Sequence, residues 1–452
     1  MIHWFFSKTV REARAMRRHV MRLVNAQRDL LSADAIRAII AKIAELDAAI
    51  GEGARGKIRI KTEELQFTTE KWIKPYPNPL WRENVEVLLV ALAVAMGIRT
   101  FFLQPFKIPT ASMQPTLYGV TSVPDYDKVI NAIGAFDRLN GTISADEIAW
   151  CRAKIKSDMA EQQALEKNLV IPTGWKRVKQ WFEGISYLHV VAQHDGALER
   201  IDPPVKFLIF NIKQTLWIGG MPQTIWFPPD YGESSLQNRA GLVTSQVYHK
   251  GQDVVNMVVH SGDHLFVDRL TYNFRPPKRG EIVVFETKGI PGEERARWQI
   301  PGNEFFIKRL VGLGGETLAI HQNYTVTNLP VPVLLETPIG RESVAVGNLV
   351  ANGKPVSADT PHFENLYSFS NPPAGAKFLD YHDNHYYGHA MLQGLSPGQQ
   401  YHVQPGHVFV MGDNTMNSLD SRFWGDFPRT SLIGKAFFVY WPISPRFGLD
   451  DH

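Results

Sequence analysis

From Val87 to Ile98 every residue is apolar or glycine, and this run splits the chain into two parts with different folding problems. The uninterrupted stretch is only about 12 residues, a length more typical of a buried helix than of a membrane span. Counted on through Arg99 and Thr100 to Phe101, Phe102 and Leu103, it reaches about 20 residues, enough to cross a bilayer as a helix. Glu86 and Arg99 then fall near its two ends, where long side chains reach the interface, and Trp81 precedes it.

Before this run, Ile36, Ile39, Ile40, Ile43, Leu46 and Ile50 recur at helical spacing, with Ser32 able to cap the start and Gly51 to end it. The pattern predicts a helical hairpin, followed by a linker marked by Pro75, Pro77 and Pro79. Basic residues are frequent here: Arg11, Arg14, Arg17, Arg18, Arg22 and Arg28, then Arg55, Lys57, Arg59 and Lys61. By the positive-inside rule they favour a cytoplasmic N-terminus and place the rest of the chain outside. The same residues suit either contact with anionic lipid or a solvated helix face. No cleavable signal peptide is expected at the N-terminus. The net charge of +3 is too small to argue for a nucleic-acid partner. A single cysteine, Cys151, rules out an intrachain disulfide without deciding the compartment.

After the run, three separated segments carry residues with chemical uses. Pro109-Thr110-Ala111-Ser112-Met113-Gln114-Pro115-Thr116-Leu117 sets a serine between prolines. Phe306-Ile307-Lys308-Arg309-Leu310-Val311-Gly312 sets a lysine in a strand-like run. As a strand, Phe306, Lys308 and Leu310 share one face, a setting that desolvates an amine and lowers its pKa. A serine hydroxyl needs a base, and lysine serves only when neutral. Taken alone, most such lysines snorkel to water and most serines beside prolines make turns. The third segment, Gly412-Asp413-Asn414-Thr415-Met416-Asn417-Ser418-Leu419-Asp420-Ser421-Arg422, is dense in polar groups. A fourth, Gly262 to Tyr272 running into Pro276–Phe285, reads as strand, turn, strand, and as scaffold rather than chemistry.

In order and wording these boxes resemble those of the bacterial type I signal peptidases, or leader peptidases, membrane-bound proteases with a Ser-Lys dyad. The resemblance implies Ser112 as nucleophile and Lys308 as general base. It implies an oxyanion hole from the Ser112 backbone N–H and the Thr110 hydroxyl. Met113 and Arg309 follow their catalytic neighbours as the family requires. Ser418 matches a serine that orients the lysine, and Asp420 with Arg422 matches a buried supporting ion pair. Phe106, Ile108 and Pro109 would line shallow pockets for small substrate residues. Ala111 departs from the commonest residue there, glycine, and would cost about 1 kcal/mol if the position needed a positive φ. The implied fold is a mainly β catalytic domain with an α/β insertion, preceded by a helical N-terminal segment and one transmembrane helix. The implied layout is 1–80 cytoplasmic hairpin and linker, 81–106 anchor and 107–452 extracytoplasmic catalytic domain, interrupted at about 120–258 and 322–400.

The first insertion looks folded. Ser144-Ala145-Asp146-Glu147 is a capping box opening a helix toward Lys167, and Val205–Phe210 reads as a strand. Trp175, Trp181, Trp217 and Trp226 are expected in its core, with contact surface as the alternative. In the second insertion Asn352-Gly353-Lys354-Pro355 resembles a family hairpin. A calcium loop at 136–147 is rejected, because Phe136 and Arg138 occupy ligand positions they cannot serve. His382-Asp383-Asn384-His385-Tyr386-Tyr387-Gly388-His389 has ligand-like spacing but is read as a polar loop. No metal or cofactor is expected.

The function expected is removal of signal peptides from exported preproteins at the bacterial cytoplasmic membrane. The partners expected are those signal peptides and the lipid bilayer, with a further protein partner open for the N-terminal helices or the 120–258 insertion. Rival readings are a Ser-Lys processing protease with a narrow substrate set, a soluble repressor-type autoprotease, and an inactive membrane scaffold. The apolar run argues against the autoprotease. The presence of both Ser112 and Lys308 argues against the scaffold.

Overall fold

The computed structural model describes residues 8–74, 79–139, 144–207, 210–327, 343–368, 378–380 and 388–449. The chain divides into two units, Met1–Ala95 and Met96–His452.

The first unit contains α1 (Lys8–Ala26), α2 (Ala33–Glu52) and α3 (Arg55–Trp72). The predicted hairpin is therefore three helices. The stripe on α2 (Ile39, Ile43, Leu46, Ile50) is met by Val10, Val20 and Val24 of α1 and by Ile58 and Leu65 of α3. Ser32 caps α2 by accepting from the Ala35 N–H at 3.2 Å. The helix runs through Gly51 and stops at Gly53, whose φ of 77° suits the left-handed cap that glycine adopts without strain.

The next helix, α4 (Pro79–Phe101), begins in the first unit and ends in the second. Its segment Trp81–Phe101 is long and apolar enough to cross a membrane, and none of it is buried. Val87, Leu88, Leu89, Val90, Leu92 and Val94 are all exposed.

The second unit is built on one antiparallel sheet. Numbering its strands alone, β1 is Leu103–Lys107, β2 His264–Asp268, β3 Ile282–Glu286, β4 Phe305–Leu313, β5 His407–Met411, β6 Phe427–Pro428, β7 Leu432–Trp441 and β8 Gly448–Leu449. Their order is β1-β2-β7-β3-β4-β5-β6, with β8 on β7. The central strand β3 reads Ile-Val-Val-Phe because both of its faces are buried. Ile282 and Val284 join a cluster with Ile108, Met113, Leu265 and Val439. Val283 and Phe285 join a second cluster with Leu310, Val410 and Phe427. The serine segment and the lysine strand are thus fixed to the same sheet by opposite sides of one strand.

Between β1 and β2 the chain makes a long folded excursion. Strands 121–123 and 185–191 flank 253–260. A second sheet has the order Val205–Phe207, Phe210–Ile218, Gly196–Ile201, Val247–Tyr248, with Met221–Trp226 paired to Phe210–Ile218. Its core holds Leu188, Leu198, Leu216, Val255 and Met257. The capping-box helix is present as Ala145–Lys167. The strand predicted over 205–210 is two, because Phe207 pairs with Phe210 across a hairpin. The tryptophans are a larger correction. Trp175, Trp181 and Trp226 are exposed and Trp217 is half-buried, so aliphatic side chains fill the core instead. Further along, Thr317–Thr327 pairs with Ser343–Ala351, which turns back at Asn352-Gly353 onto Lys354–Pro355. Both turn residues have positive φ, 50° and 77°, as a type I′ hairpin demands.

Candidate active site

β1 leads directly into the serine segment. Ile108 N–H bonds to Asp263 O at 2.8 Å and Val120 N–H to Pro109 O at 3.3 Å, so 108–120 is held against the start of β2. Gly262 is required for this approach, since a Cβ there would lie 2.0 Å from Ile108 O. Asp263 is fully buried and holds the far end of the loop. It accepts from the Tyr118 N–H at 2.7 Å and from Arg446 at 2.8 and 3.0 Å. This bears out its role as scaffold.

The polar segment after β5 clamps the serine itself. Asn414 N–H donates to Ser112 O at 3.0 Å, and Asn414 Nδ2 donates to Ala111 O at 3.1 Å. Thr116 Oγ1 donates to Asp413 Oδ2 at 2.6 Å. Gly412 passes so near that a Cβ would sit 2.6 Å from Ser112 O and 2.2 Å from Ser418 Oγ. Any larger residue would push the two segments apart. Ala111 lies outside the positive-φ region, so alanine introduces no backbone strain there.

β4 brings the lysine to the same point. Lys308 Nζ lies 2.7 Å from Ser112 Oγ, across 196 positions of sequence. Both residues are buried, at 5% and 6% exposure. Phe306 shares the lysine's face, its ring centroid 5.8 Å from Nζ. Burial is the dominant influence on the amine and lowers its pKa from 10.5 to about 8, partly opposed by the negative charge of Asp420.

The remaining predicted residues fall around this pair. Thr110 Oγ1 is 3.3 Å from Ser112 Oγ. Ser418 donates to Asp420 Oδ2 at 2.7 Å, so among the described residues its hydrogen bond goes to the carboxylate rather than to Lys308. Arg422 binds both oxygens of Asp420, Nε to Oδ1 at 2.9 Å and Nη2 to Oδ2 at 2.8 Å, with no exposure on either side chain. Burial pushes the Asp420 carboxyl up, but the charge and hydrogen bonds of Arg422, with bonds from Gly412 N–H and Ser418, bring it below its ordinary value. Met113 is wholly buried beneath the serine. Phe106 meets Phe305 edge-on, centroids 5.5 Å apart, and Pro109 is half-buried. Ile108 is 1% exposed and packs in the core with Met113 and Leu117. Its side chain thus faces the core of the sheet.

Sequence reading missed the partner of Arg309. Its guanidinium binds Asp413 in a fork, Nε to Oδ1 at 2.7 Å and Nη2 to Oδ2 at 2.6 Å. It also missed the Asn414 clamp. Both partners lie inside the polar segment 412–422, yet nothing local says where they point. A contribution from the first insertion was missed as well. Asp230 forms an ion pair with Lys107 on β1, and Glu233 stands within electrostatic reach of Lys308. Among the described residues no cluster of His, Cys, Asp or Glu could hold a metal. The stretch 381–387 of the histidine-rich tract lies outside them. His389, at its end, is buried and pairs through Nδ1 with the Tyr367 hydroxyl at 2.9 Å.

The structure thus joins a buried serine and a buried amine on one antiparallel sheet, and comparison with known sequences gives the family. The profile of the family described as signal peptidase, peptidase S26, matches residues 81–137 and 241–441, more than half of the chain. The chain belongs to this family. Signal peptidase I of Leptolyngbya laminosa is 31% identical over 183 residues, covering 40% of this chain and 62% of that relative. Probable signal peptidase I-2 of Synechocystis sp. is 31% identical over 188 residues, covering 41% and 58%. Signal peptidase I of Aquifex aeolicus is 28% identical over 204 residues, covering 40% and 69%. The chain thus spans less than two thirds of the length of the first two. A solved signal peptidase I from Enterococcus faecalis V583 overlaps 36% of this chain at 23% identity and a TM-score of 0.21, too low to bear on the fold. The stretch 138–240, between the two matched segments, falls inside the folded excursion.

Proposed function

We propose that this chain is a membrane-anchored serine endopeptidase that removes signal peptides from exported preproteins, with Ser112 as nucleophile and Lys308 as general base. The observation that carries the reading is the 2.7 Å approach of a buried, pKa-lowered amine to a buried hydroxyl. Neutral Lys308 accepts the Ser112 proton as Oγ attacks the scissile carbonyl carbon. The Ser112 N–H and the Thr110 hydroxyl stabilise the negative charge that develops on the carbonyl oxygen. The Lys308 ammonium then protonates the departing amine, leaving an acyl-enzyme. Water, deprotonated by Lys308, releases the signal peptide from the serine. Asp420–Arg422 and Arg309–Asp413 hold the framework and take no part in the bond changes.

In this reading Trp81–Phe101 spans the cytoplasmic membrane, with α1–α3 on the cytoplasmic side and the catalytic unit outside. Phe106 and Pro109 would border pockets for the small residues before the cleavage point. The test is cleavage of a preprotein by full-length enzyme in vesicles. Wild type should release the mature protein, whereas Ser112→Ala and Lys308→Ala should not while remaining folded. Substantial cleavage by either variant sinks the dyad.

A narrower substrate set is the second reading, favoured by one observation. The excursion reaches the site through the Asp230–Lys107 pair and through Glu233. It then forms part of the approach to the dyad, and preproteins would be sorted by the first residues of their mature portion.

A further inference from the structure

The helix Trp175–Phe182 leaves a broad apolar arc open to its surroundings. At about 100° per residue, Trp175, Val178, Trp181 and Phe182 occupy one arc about 120° wide. Lys176, Arg177, Lys179 and Gln180 occupy the remainder. A soluble helix turns its apolar arc inward. Here the apolar arc stays open and so does most of the polar side, which is tied down only where Arg177 donates to Tyr187 O at 3.2 Å and the Tyr187 hydroxyl donates to Gln180 Oε1 at 3.3 Å. No residue of the helix is buried. Trp175 is 78% exposed, Trp181 54%, Phe182 46% and Val178 43%.

The arc continues onto the catalytic sheet. Trp441, at the end of β7, packs its ring 5.3 Å from Trp181 and 6.5 Å from Phe182. Ile443 N–H donates to Phe182 O at 3.0 Å, and the Ile443 side chain is exposed. The helix is therefore fastened to the sheet that carries the dyad. It also belongs to the stretch that the family profile does not match.

We propose that Trp175–Phe182 is an interfacial anchor whose aromatic arc lies in the surface of an anionic lipid bilayer and gives the catalytic unit a second hold on the membrane. The proposal rests on the membrane-anchored reading of the chain. Exposed tryptophans beside lysine and arginine are the composition of interfacial helices, the rings sitting at headgroup depth and the cations meeting lipid phosphates. Lys176 and Arg177 supply that charge, and Lys179 shares its own with Glu183 at 3.6 Å. Phe102, the residue after the candidate span, accepts at its O from the Arg269 N–H at 3.0 Å.

The test uses full-length protein in which Cys151→Ala leaves no native thiol. Single cysteines replace Val178, Leu92 or Asp195, and each is labelled with an environment-sensitive fluorophore. The proteins are reconstituted into phosphatidylcholine vesicles with or without phosphatidylglycerol, with iodide on both sides of the membrane. The Leu92 probe should be shielded in both vesicles and the Asp195 probe open in both. With phosphatidylglycerol, the Val178 probe should shift to the blue and become several-fold less quenched by iodide. Nitroxides attached near the headgroup should quench it, and Lys176→Gln with Lys179→Gln should weaken the effect. A Val178 probe as open as that at Asp195, with Leu92 shielded, overturns the anchor alone. An open Leu92 probe removes the span reading and the anchor with it. Shielding of Val178 that ignores phosphatidylglycerol and rises with protein density assigns the face to a second copy of the chain and overturns the lipid proposal.

Discussion

Lys308 and Arg309 are neighbours on one strand, equally removed from water and opposite in consequence. Arg309 is given a carboxylate. Asp413 meets it in a bidentate fork, and Gly280 O and Thr116 Oγ1 take further donors at 2.8 and 3.1 Å. Lys308 is given a hydroxyl instead and, among the described residues, has no salt bridge. A paired buried guanidinium keeps its charge and serves as framework. An unpaired buried amine relieves its desolvation by shedding a proton, and that makes it a base. The side of the strand that meets a carboxylate thus becomes structure, and the side denied one presents the amine that the proposed mechanism uses.

The largest test of that contrast is to remove the reactive member. Lys308→Ala or Ser112→Ala should lower the cleavage rate by about 10⁴–10⁶, and the double variant should be no worse than either single one, because the residues act as a unit. Lys308→Arg should be as inactive as the alanine variant, since it restores a cation that cannot act as a base. Single-turnover cleavage with circular dichroism checks both points.

Removing the structural member should strike stability instead. Arg309→Met strands the Asp413 carboxylate in the interior and should cost about 3–5 kcal/mol, read by denaturant unfolding in detergent. Adding Asp413→Leu should recover much of that loss. An Arg309→Met protein of wild-type stability would end the framework interpretation.

Thr110 is smaller in scope. Thr110→Val should reduce kcat by about 10²–10³ with KM nearly unchanged, while Thr110→Ser should keep most activity. Wild-type kinetics for the valine variant would move the second oxyanion donor elsewhere.

The pH dependence sharpens the contrast further. Only neutral Lys308 is a base, so the rate should climb about tenfold per pH unit below the amine pKa and level off above about 8. Stability has the same sign. The folded amine binds its proton less tightly than the unfolded one, so its burial opposes folding below about pH 8 and ceases to do so as pH rises toward 10.5. A rate flat through this range, with chemistry limiting, contradicts a titrating lysine. The smallest effect belongs to Asp230→Asn, which breaks a partly exposed pair and should change stability by only about 0.2–1 kcal/mol. If the excursion guides substrates, it should nonetheless shift KM between preproteins.

The dyad was legible because its motifs are short and contiguous: a serine between prolines, and a lysine in an apolar strand. Asp420 and Arg422 were legible for the same reason, lying two residues apart. Asp413 as the partner of Arg309, 104 positions away, was not, because a side-chain direction set by sheet register leaves no local trace. The three-helix N-terminal unit was underread since the buried positions of α1 are small or β-branched residues, Val10, Ala13, Val20 and Val24, set among arginines. The tryptophans were misplaced because ring size favours burial without saying what covers the ring, and Trp175, Trp181 and Trp226 are exposed while aliphatic side chains fill the core.

The burial of Lys308 also acts as a safety catch. Its readiness to be neutral belongs to the closed fold and not to the side chain. Whenever β4 opens to water, the amine recovers a value near 10.5 and is almost wholly protonated at neutral pH. A partly opened or half-made chain therefore carries a serine with nothing to activate it. Because the clamp on Ser112 comes from residue 414, the last polar box must be folded before the first can act. In the proposed mechanism the pair should therefore stay inert until residue 414 has folded onto the serine.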